Sequence, residues 1–140
     1  MTQLDTLFNW PVRIYWEDTD AGGIVFYANY LKFFERARTE WLRSLGIEQR
    51  RLKDQLHGMF VVAETKVRYL APARLDDELI VTAQVESAGK ASLIINQQAL
   101  LKSESASVLL CVGTIKISWV DASTLQPKRI PATILERLIT

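Results

Sequence analysis

The sequence is poor in the side chains on which much enzyme chemistry depends. Among 140 residues there is one histidine, His57, and one cysteine, Cys111. A single histidine excludes a zinc finger with two histidine ligands, an HExxH metalloprotease and any site with several histidine ligands. A lone cysteine cannot form a disulfide within the chain and fits a reducing compartment. A hydrolytic reaction catalysed by this chain must therefore use the imidazole of His57 or proceed without a histidine.

The sequence also lacks an excess of charge and a long apolar run. Its 17 Lys and Arg residues against 16 Asp and Glu residues give a formal net charge of +1, which provides no concentrated basic surface for nonspecific nucleic-acid binding. No stretch reaches the ~18 apolar residues of a membrane span. The first nine residues have neither the positive nor the apolar region of a secretory signal. We therefore expect a cytoplasmic protein.

The composition that is present is that of a globular domain. The chain is 49% hydrophobic and 24% charged, as ordinary globular proteins are. Its length suits one domain, residues 1–140, which can bury a core without disulfides or structural metal. No internal repeat, low-complexity tract or linker divides it.

The periodicity of apolar residues predicts one long helix and several strands. The predicted strands are residues 10–17, 59–70, 79–87, 91–101 and 105–120. The first strand is predicted to turn Val12, Ile14 and Trp16 to one face. The predicted helices are residues 28–45, 48–55 and, as a helix or an ordered tail, 132–139. The long helix is predicted to end at Gly46, and its apolar face is predicted to carry Leu31, Phe34, Ala37, Trp41, Leu42 and Leu45.

One long helix followed by consecutive strands indicates an α+β fold with a mostly antiparallel sheet. The last long strand is apolar on both faces near residues 108–112, which predicts a central place in the sheet. One helix covers only one face of a sheet, so we expect a second copy of the chain to cover or pair with the remainder. The phosphate-binding patterns GxxxxGK[ST] and GxGxxG are absent.

The densest group of reactive side chains joins the first strand to the long helix, where residues 18–25 read DTDAGGIV. One interpretation is an acidic turn, because Asp and Gly are common turn residues. The other is a catalytic site. The two glycines allow close approach of a ligand, and first-turn amides near Tyr27 can hold an oxyanion. A carboxylate such as Asp20 beside them can serve acyl transfer as nucleophile or general base.

This segment resembles a known family. Together with NY at residues 29–30 and ERARTE at residues 35–40, it is similar to the 4-hydroxybenzoyl-CoA thioesterase family of hotdog-fold proteins. More narrowly it resembles the YbgC-type acyl-CoA thioesterases associated with the Tol–Pal cell-envelope system. The similarity continues through YLAPARLDD at residues 69–77 and PKRIP at residues 127–131, and so spans nearly the whole chain.

The resemblance implies a hotdog fold, in which an antiparallel sheet wraps around one long central helix, assembled as a homodimer or homotetramer. It implies hydrolysis of an acyl-CoA to the free acid and CoA. Asp20 matches the carboxylate of that reaction, as nucleophile or as general base, and the backbone amide of Tyr27 matches the donor that polarises the thioester carbonyl. No metal or other cofactor is implied, since CoA is part of the substrate.

One position departs from the pattern. Many YbgC-type members have His where this chain has Tyr27, whereas the 4-hydroxybenzoyl type has Tyr. A backbone donor survives that change, but a role for a His side chain does not. The acyl group therefore stays open between aliphatic and aromatic.

The predicted substrate-binding residues next to Asp20 are Gly22, Gly23, Ile24, Val25 and Phe26. The phosphates of CoA predict basic residues at the mouth of the site, and ordinary solvated lysines are the alternative interpretation. The candidates are Lys90 and Ser92 in one turn, and Lys128 and Arg129 in the C-terminal tail.

Four other residues receive mainly structural interpretations. Asp18 is expected to order the turn rather than to react. Glu35 is either a partner of the site or half of an ion pair on the helix surface. His57 is expected to be structural or exposed, and Cys111 a buried small hydrophobe.

Three other functions stay open. One is hydrolysis of an aromatic acyl-CoA, and another is a hotdog dehydratase, which requires a histidine paired with an acid. The third is a non-catalytic module that binds acyl-CoA or an acyl carrier protein, and the intact Asp20 argues against it.

Overall fold

A computed structural model describes residues 7–105 and 107–139, so residues 1–6, 106 and 140 of the predicted domain lie outside the described residues. Five strands form one antiparallel sheet in the order β1-β3-β4-β5-β2. The strands are β1 Phe8–Arg13, β2 Gly58–Tyr69, β3 Glu78–Ala88, β4 Ser92–Leu101 and β5 Val108–Asp121. The helices are α1 Asn29–Ser44, α2 Gln49–Leu56 and α3 Ala132–Ile139. The predicted α+β class with an antiparallel sheet is confirmed.

Helix α1 forms because its apolar residues recur along one stripe. Its buried side chains are Tyr30, Phe33, Phe34, Ala37, Trp41 and Leu42. Leu31 lies off this stripe and is 43% exposed, so the prediction that it faces the core was wrong. The helix ends as predicted at Gly46, whose φ of 78° is left-handed. The amides of Gly46 and Ile47 donate back to the carbonyls of Arg43 and Leu42 at 3.0 and 2.9 Å.

The inner face of the sheet packs against α1. Gly113 on β5 allows the close approach, because a Cβ at this position would lie 2.7 Å from Cε2 of Phe34. The largest fully buried apolar residues of the strands are Leu79, Leu93, Ile95, Leu110, Ile115 and Trp119. Helix and sheet therefore share one core.

Strand β1 is shorter than predicted, ending at Arg13 instead of residue 17. Val12 and Ile14 are buried as the alternation predicted. After them, the carboxylate of Asp18 accepts the amide of Tyr15 at 2.8 Å, and residues 16–18 form a 3-10 turn. Because the chain has left the sheet, Trp16 is 78% exposed, contrary to its predicted place on the buried face.

Strand β5 lies between β4 and β2, so it is an interior strand, although β4 is the middle one. It begins at Val108, and Ala106 of the predicted strand lies outside the described residues. On its outer face Thr114 lies opposite Asn96. The second apolar face expected for this strand is therefore limited to its first residues.

The strand register defines two ends of the sheet. Tyr69 lies opposite Cys111 where β2 ends, and Gly58 lies opposite Asp121 where β2 begins. We call these the Tyr69 end and the Gly58 end. None of the helices within residues 7–105 and 107–139 has the length and hydropathy needed to cross a bilayer.

Candidate active site

The candidate carboxylate lies at the tip of a small hairpin between β1 and α1. The amide of Asp20 donates to the carbonyl of Ile24 at 2.8 Å, and the amide of Gly23 donates to the carbonyl of Asp20 at 3.0 Å. Thr19 pairs with Val25 below this turn. Gly23 has a φ of 79°, which glycine adopts without strain. The glycine turn therefore reverses the chain and leaves Asp20 exposed.

The side chain of Asp20 is held by one oxygen. Its Oδ1 accepts the amide of Gly22 at 2.8 Å. Within the part of the chain that the structure describes, Oδ2 accepts no hydrogen bond. This second oxygen is free to take a proton from water or to attack a carbonyl.

Asp18 orders the turn, as predicted. Its carboxylate is buried, 9% of the residue being exposed, and it holds the amide of Tyr15. Its carbonyl accepts the amide of Phe26 at 3.0 Å and the side-chain nitrogen of Asn29 at 2.9 Å. Asp18 thus fastens the hairpin to the start of α1.

The start of α1 presents free backbone donors. The amides of Asn29, Tyr30 and Leu31 each donate to the carbonyl three residues earlier. Among the described residues, the amides of Tyr27 and Ala28 donate to no acceptor. The helix dipole adds partial positive charge at this end. Such donors can stabilise the oxyanion that forms when a thioester carbonyl is attacked.

An apolar groove of about 310 Å³ lies beside these donors. Its lining residues are Ile24, Val25, Tyr27, Tyr30, Tyr69, Leu70, Ala71 and Pro72. Two predicted substrate-binding residues, Ile24 and Val25, are therefore in the groove. Phe26 is not among the lining residues; it is exposed and its ring packs on that of Tyr27, with centroids 4.8 Å apart.

The second wall of the groove is the chain that leaves β2, which no local sequence pattern predicts as part of the site. The amide of Val25 donates to the carbonyl of Ala73 at 2.9 Å, and Ile24 pairs with Arg74. The amide of Ala73 donates to the hydroxyl of Tyr30 at 3.1 Å. The only sequence signal was that this stretch lies within YLAPARLDD, because nothing local places it beside residue 24.

Burial affects the ionisable groups under the groove. It raises the pKa of the Tyr30 and Tyr69 phenols above their ordinary value, so both are neutral at physiological pH. It also raises the pKa of the Cys111 thiol to about 12. Cys111 is fully buried, as expected of a small hydrophobe, and is not a nucleophile at neutral pH.

The predicted CoA-binding residues lie at the other end of the sheet. The carbonyl of Lys90 accepts the amide of Ile130 at 2.9 Å, and Nζ of Lys128 lies 3.7 Å from Oδ2 of Asp121. The seven strand steps between residues 111 and 118 of β5 alone correspond to about 23 Å. The structure brings together Lys90, Ser92, Lys128 and Arg129 at the Gly58 end, but within one chain it does not bring them to Asp20.

The remaining candidates lie away from the groove. Glu35 is exposed on α1, where its Oε1 accepts the hydroxyl of Thr39 at 3.4 Å. His57 is exposed and ends α2 with a φ of 50°. In residues 7–105 and 107–139, no group of three or more His, Cys, Asp or Glu side chains is placed to hold a metal ion.

Comparisons with known proteins cover nearly the whole chain. The profile of a family described as the thioesterase-like superfamily matches residues 14–138. The chain is 40% identical over 131 residues to the acyl-CoA thioesterase YbgC of Haemophilus influenzae, covering 94% of this chain and 93% of that protein. It is 41% identical over 130 residues to the acyl-CoA thioester hydrolase YbgC of Escherichia coli, covering 93% and 94%.

Solved structures support the fold. One similar structure is a mutant 4-hydroxybenzoyl-CoA thioesterase in complex with 4-hydroxybenzoyl-CoA. Its TM-score is 0.87 at 17% sequence identity, and the match covers 93% of this chain and 96% of that one. At this identity the similarity concerns the fold alone, and it confirms the expected hotdog arrangement.

Proposed function

Because the chain belongs to the thioesterase-like superfamily, we propose that it hydrolyses the thioester of an acyl-CoA to the free acid and CoA through Asp20. The thioesterase activity follows from the 40% identity to YbgC over nearly the whole chain. The observation that supports the role of Asp20 is its place in the glycine turn. Its Oδ1 is held by the amide of Gly22, while its Oδ2 accepts no hydrogen bond from the described residues.

The reaction requires a nucleophile and a site for the oxyanion. Attack on the thioester carbonyl forms a tetrahedral intermediate, and the amide of Tyr27 donates to its oxygen. Collapse of the intermediate breaks the carbon–sulfur bond, and the CoA thiolate takes a proton as it leaves. This chemistry uses a carboxylate, an amide and water, and we propose that no metal or redox cofactor takes part.

Two roles for Asp20 fit the same geometry. As general base, Oδ2 takes a proton from water, which attacks the carbonyl. As nucleophile, Oδ2 attacks directly and forms an acyl anhydride that water then hydrolyses. A single turnover in ¹⁸O water separates general-base attack from an anhydride that water opens at the Asp20 carbonyl. The general-base route places ¹⁸O in the acid at once, whereas water attack on the Asp20 carbonyl of the anhydride leaves ¹⁶O in the first product.

Thiol release from a panel of acyl-CoA and acyl-carrier-protein substrates tests the proposal. We expect Asp20→Asn to lower kcat by about 10²- to 10⁴-fold. Glu17→Gln is the matched control, because Glu17 is an exposed carboxylate of the same segment, and we expect it to keep wild-type kcat. Unchanged turnover in Asp20→Asn would contradict the assignment.

The same panel separates the alternative functions. An aromatic acyl-CoA hydrolase shows its highest kcat/KM on aromatic thioesters, whereas an aliphatic one shows its highest kcat/KM on straight-chain thioesters. Binding of acyl-CoA or an acyl carrier protein without thiol release identifies a non-catalytic module.

We further propose that the active unit is at least a dimer formed through β2. This strand is at the sheet edge, and its residues 62–66 are exposed. An unpaired edge strand readily pairs with a second copy. Antiparallel pairing about a two-fold axis places the Gly58 end of one copy beside the Tyr69 end of the other. The second copy's Lys90, Lys128 and Arg129 then lie toward the mouth of this groove, where CoA phosphates require cations.

Static light scattering tests the assembly. A dimer or tetramer at micromolar concentration supports the proposal, and a monomer contradicts it. A cytoplasmic location follows from the proposed substrate, because acyl-CoA is made and used inside cells. An association with the Tol–Pal system is proposed from the resemblance to YbgC-type proteins and is tested by co-purification with the Tol proteins.

A further inference from the structure

The groove beside the Tyr27 amide is bounded by three tyrosine rings, of which that of Tyr69 contacts the other two. The ring of Tyr69 meets that of Tyr27 edge-on, with centroids 5.9 Å apart at 81°, and lies 5.7 Å from that of Tyr30. Tyr30 is 3% exposed and its hydroxyl holds the amide of Ala73. The ring of Tyr69 therefore lies between the buried ring of Tyr30 and the ring of Tyr27, whose backbone amide is the proposed oxyanion donor.

The position of Tyr69 is set by the backbone. It is the last residue of β2, and the next two amides, of Leu70 and Ala71, both donate to the carbonyl of Leu110 at 2.8 and 3.2 Å. The strand end cannot retreat without breaking these bonds. A longer ligand in the groove must therefore displace the ring itself, which is flanked by Tyr27 and Tyr30.

The chemistry of the lining favours an acyl chain as the occupant. From a carbonyl held at the Tyr27 amide, a thioester extends in two directions, toward the acyl group and toward the pantetheine arm. Pantetheine contains two amides, which need hydrogen-bond partners when buried. The described residues that line the groove are aliphatic or tyrosine and include no charged residue, which suits an apolar chain.

We propose that Tyr69 is a specificity-determining residue whose ring limits the length of the acyl chain that the groove accepts. This inference rests on the proposed thioesterase function. In the enzyme–substrate complex, the acyl chain leaves the Tyr27 amide along the groove, and the Tyr69 ring occupies the space that additional methylenes need.

The test is the dependence of kcat/KM on chain length for straight-chain acyl-CoAs from acetyl to palmitoyl. In the wild type we expect kcat/KM to rise with length and then to stop rising. In Tyr69→Ala the rise should continue to longer chains, by about fourfold for each methylene newly buried. Tyr69→Phe keeps the ring and should keep the wild-type limit.

Further variants and outcomes make the test decisive. Tyr15→Ala removes an exposed tyrosine outside the groove and should leave the limit unchanged. If Tyr69→Ala is poorly folded by circular dichroism, Tyr69→Leu should shift the limit in the same direction by less. If kcat/KM of Tyr69→Ala stops rising at the same chain length as that of the wild type, the inference is overturned. A loss of kcat/KM that is equal at every chain length also overturns it, because it indicates that Tyr69 contacts the pantetheine arm.

Failure of the inference is distinguishable from failure of the proposed function. If the wild type releases no thiol from any substrate, the function and the inference both fail. If the wild type is active and Asp20→Asn keeps its activity, the assignment of Asp20 fails while the length profile still tests Tyr69. If the wild type and Tyr69→Ala are both active and have the same limit of acyl-chain length, only the proposed role of Tyr69 fails.

Discussion

Two carboxylates two residues apart, those of Asp18 and Asp20, lie in different surroundings. Asp18 is buried and both its carboxylate and its carbonyl are used by the backbone around it. Asp20 is exposed and has one oxygen free. A structural carboxylate is satisfied by donors, whereas a reactive one must keep an oxygen available for substrate or water. In the sequence DTD, Asp18 therefore holds the turn in place, and Asp20 is the candidate catalytic carboxylate.

Asp18 makes a prediction about stability. Asp18→Ala leaves the amide of Tyr15 without its acceptor inside the turn. Loss of a hydrogen bond to a charged group in a part-buried site lowers the free energy of unfolding by about 1–3 kcal/mol. Urea denaturation measures this change. Glu17→Ala, at an exposed neighbour, should change it by less than about 0.5 kcal/mol, and equal effects in the two variants would contradict the anchoring role.

Cys111 makes a prediction about pH. Its pKa is raised from the ordinary 9.0 to about 12 by burial. Between these values the unfolded chain has lost the proton while the folded protein keeps it, so the stability present below pH 9 is lost as the pH rises toward 12. The free energy of unfolding should fall from about pH 9 upward, and Cys111→Ala should make the fall shallower from pH 9 to 10. An identical pH dependence in the two proteins would exclude a contribution from this thiol.

At the scale of elements, local patterns predicted what local forces control. The apolar period placed α1 and the strands, and Gly46 ended α1 as predicted because the left-handed position there requires it. The predictions were wrong at positions whose burial depends on a side-chain hydrogen bond or on a contact with a distant part of the chain. Trp16 is exposed because Asp18 takes the amide of Tyr15 and ends the strand pattern early. Leu31 is exposed because the sheet covers a stripe through Phe33 and Phe34 instead.

The candidate site divides in the same way. The hairpin of Asp20 and the start of α1 are contiguous in sequence, so their proximity could be predicted. The wall formed by Tyr69 and the following residues could not, because it meets the hairpin through long-range pairing of Ile24 with Arg74 and of Val25 with Ala73. The apolar pattern near residue 69 does not predict these contacts, because the contacts depend on the path of the chain between the end of β2 and the start of β3.

Glycine packing makes a prediction about the elements. A Cβ at Gly58 would lie 2.2 Å from Cζ2 of Trp119, which is fully buried. Gly58→Ala must shift that ring or the start of β2, and overpacking of this kind costs about 1–3 kcal/mol. Gly89→Ala is the control, since its nearest atom would be at an ordinary 3.6 Å. Thermal denaturation should show a lower Tm for the first variant only; an equal Tm would mean that Trp119 has room to move.

At the scale of the whole molecule, the two ends of the sheet carry the groups that we propose to complete one site. The Tyr69 end has the carboxylate, the amide donors and the groove, while the Gly58 end has Lys90, Lys128 and Arg129. Within one chain these parts are separated by most of the length of β5. The antiparallel association that we propose through β2 would remove this separation, so we expect association and activity to be coupled.

That coupling can be tested at the exposed edge of the sheet. Val62 is 52% exposed at the irregularity in β2, and Val62→Lys places a charge where a second copy would pair, a change that natural edge strands use to prevent association. We expect light scattering to show a smaller species than wild type, and kcat/KM for acyl-CoA to fall with it. Ile139→Lys, which adds the same charge at an exposed position of α3, should leave both unchanged. A dissociated Val62→Lys protein with full activity would show that one chain supplies every group the reaction needs, and the basic residues at the Gly58 end would then have no part in binding CoA.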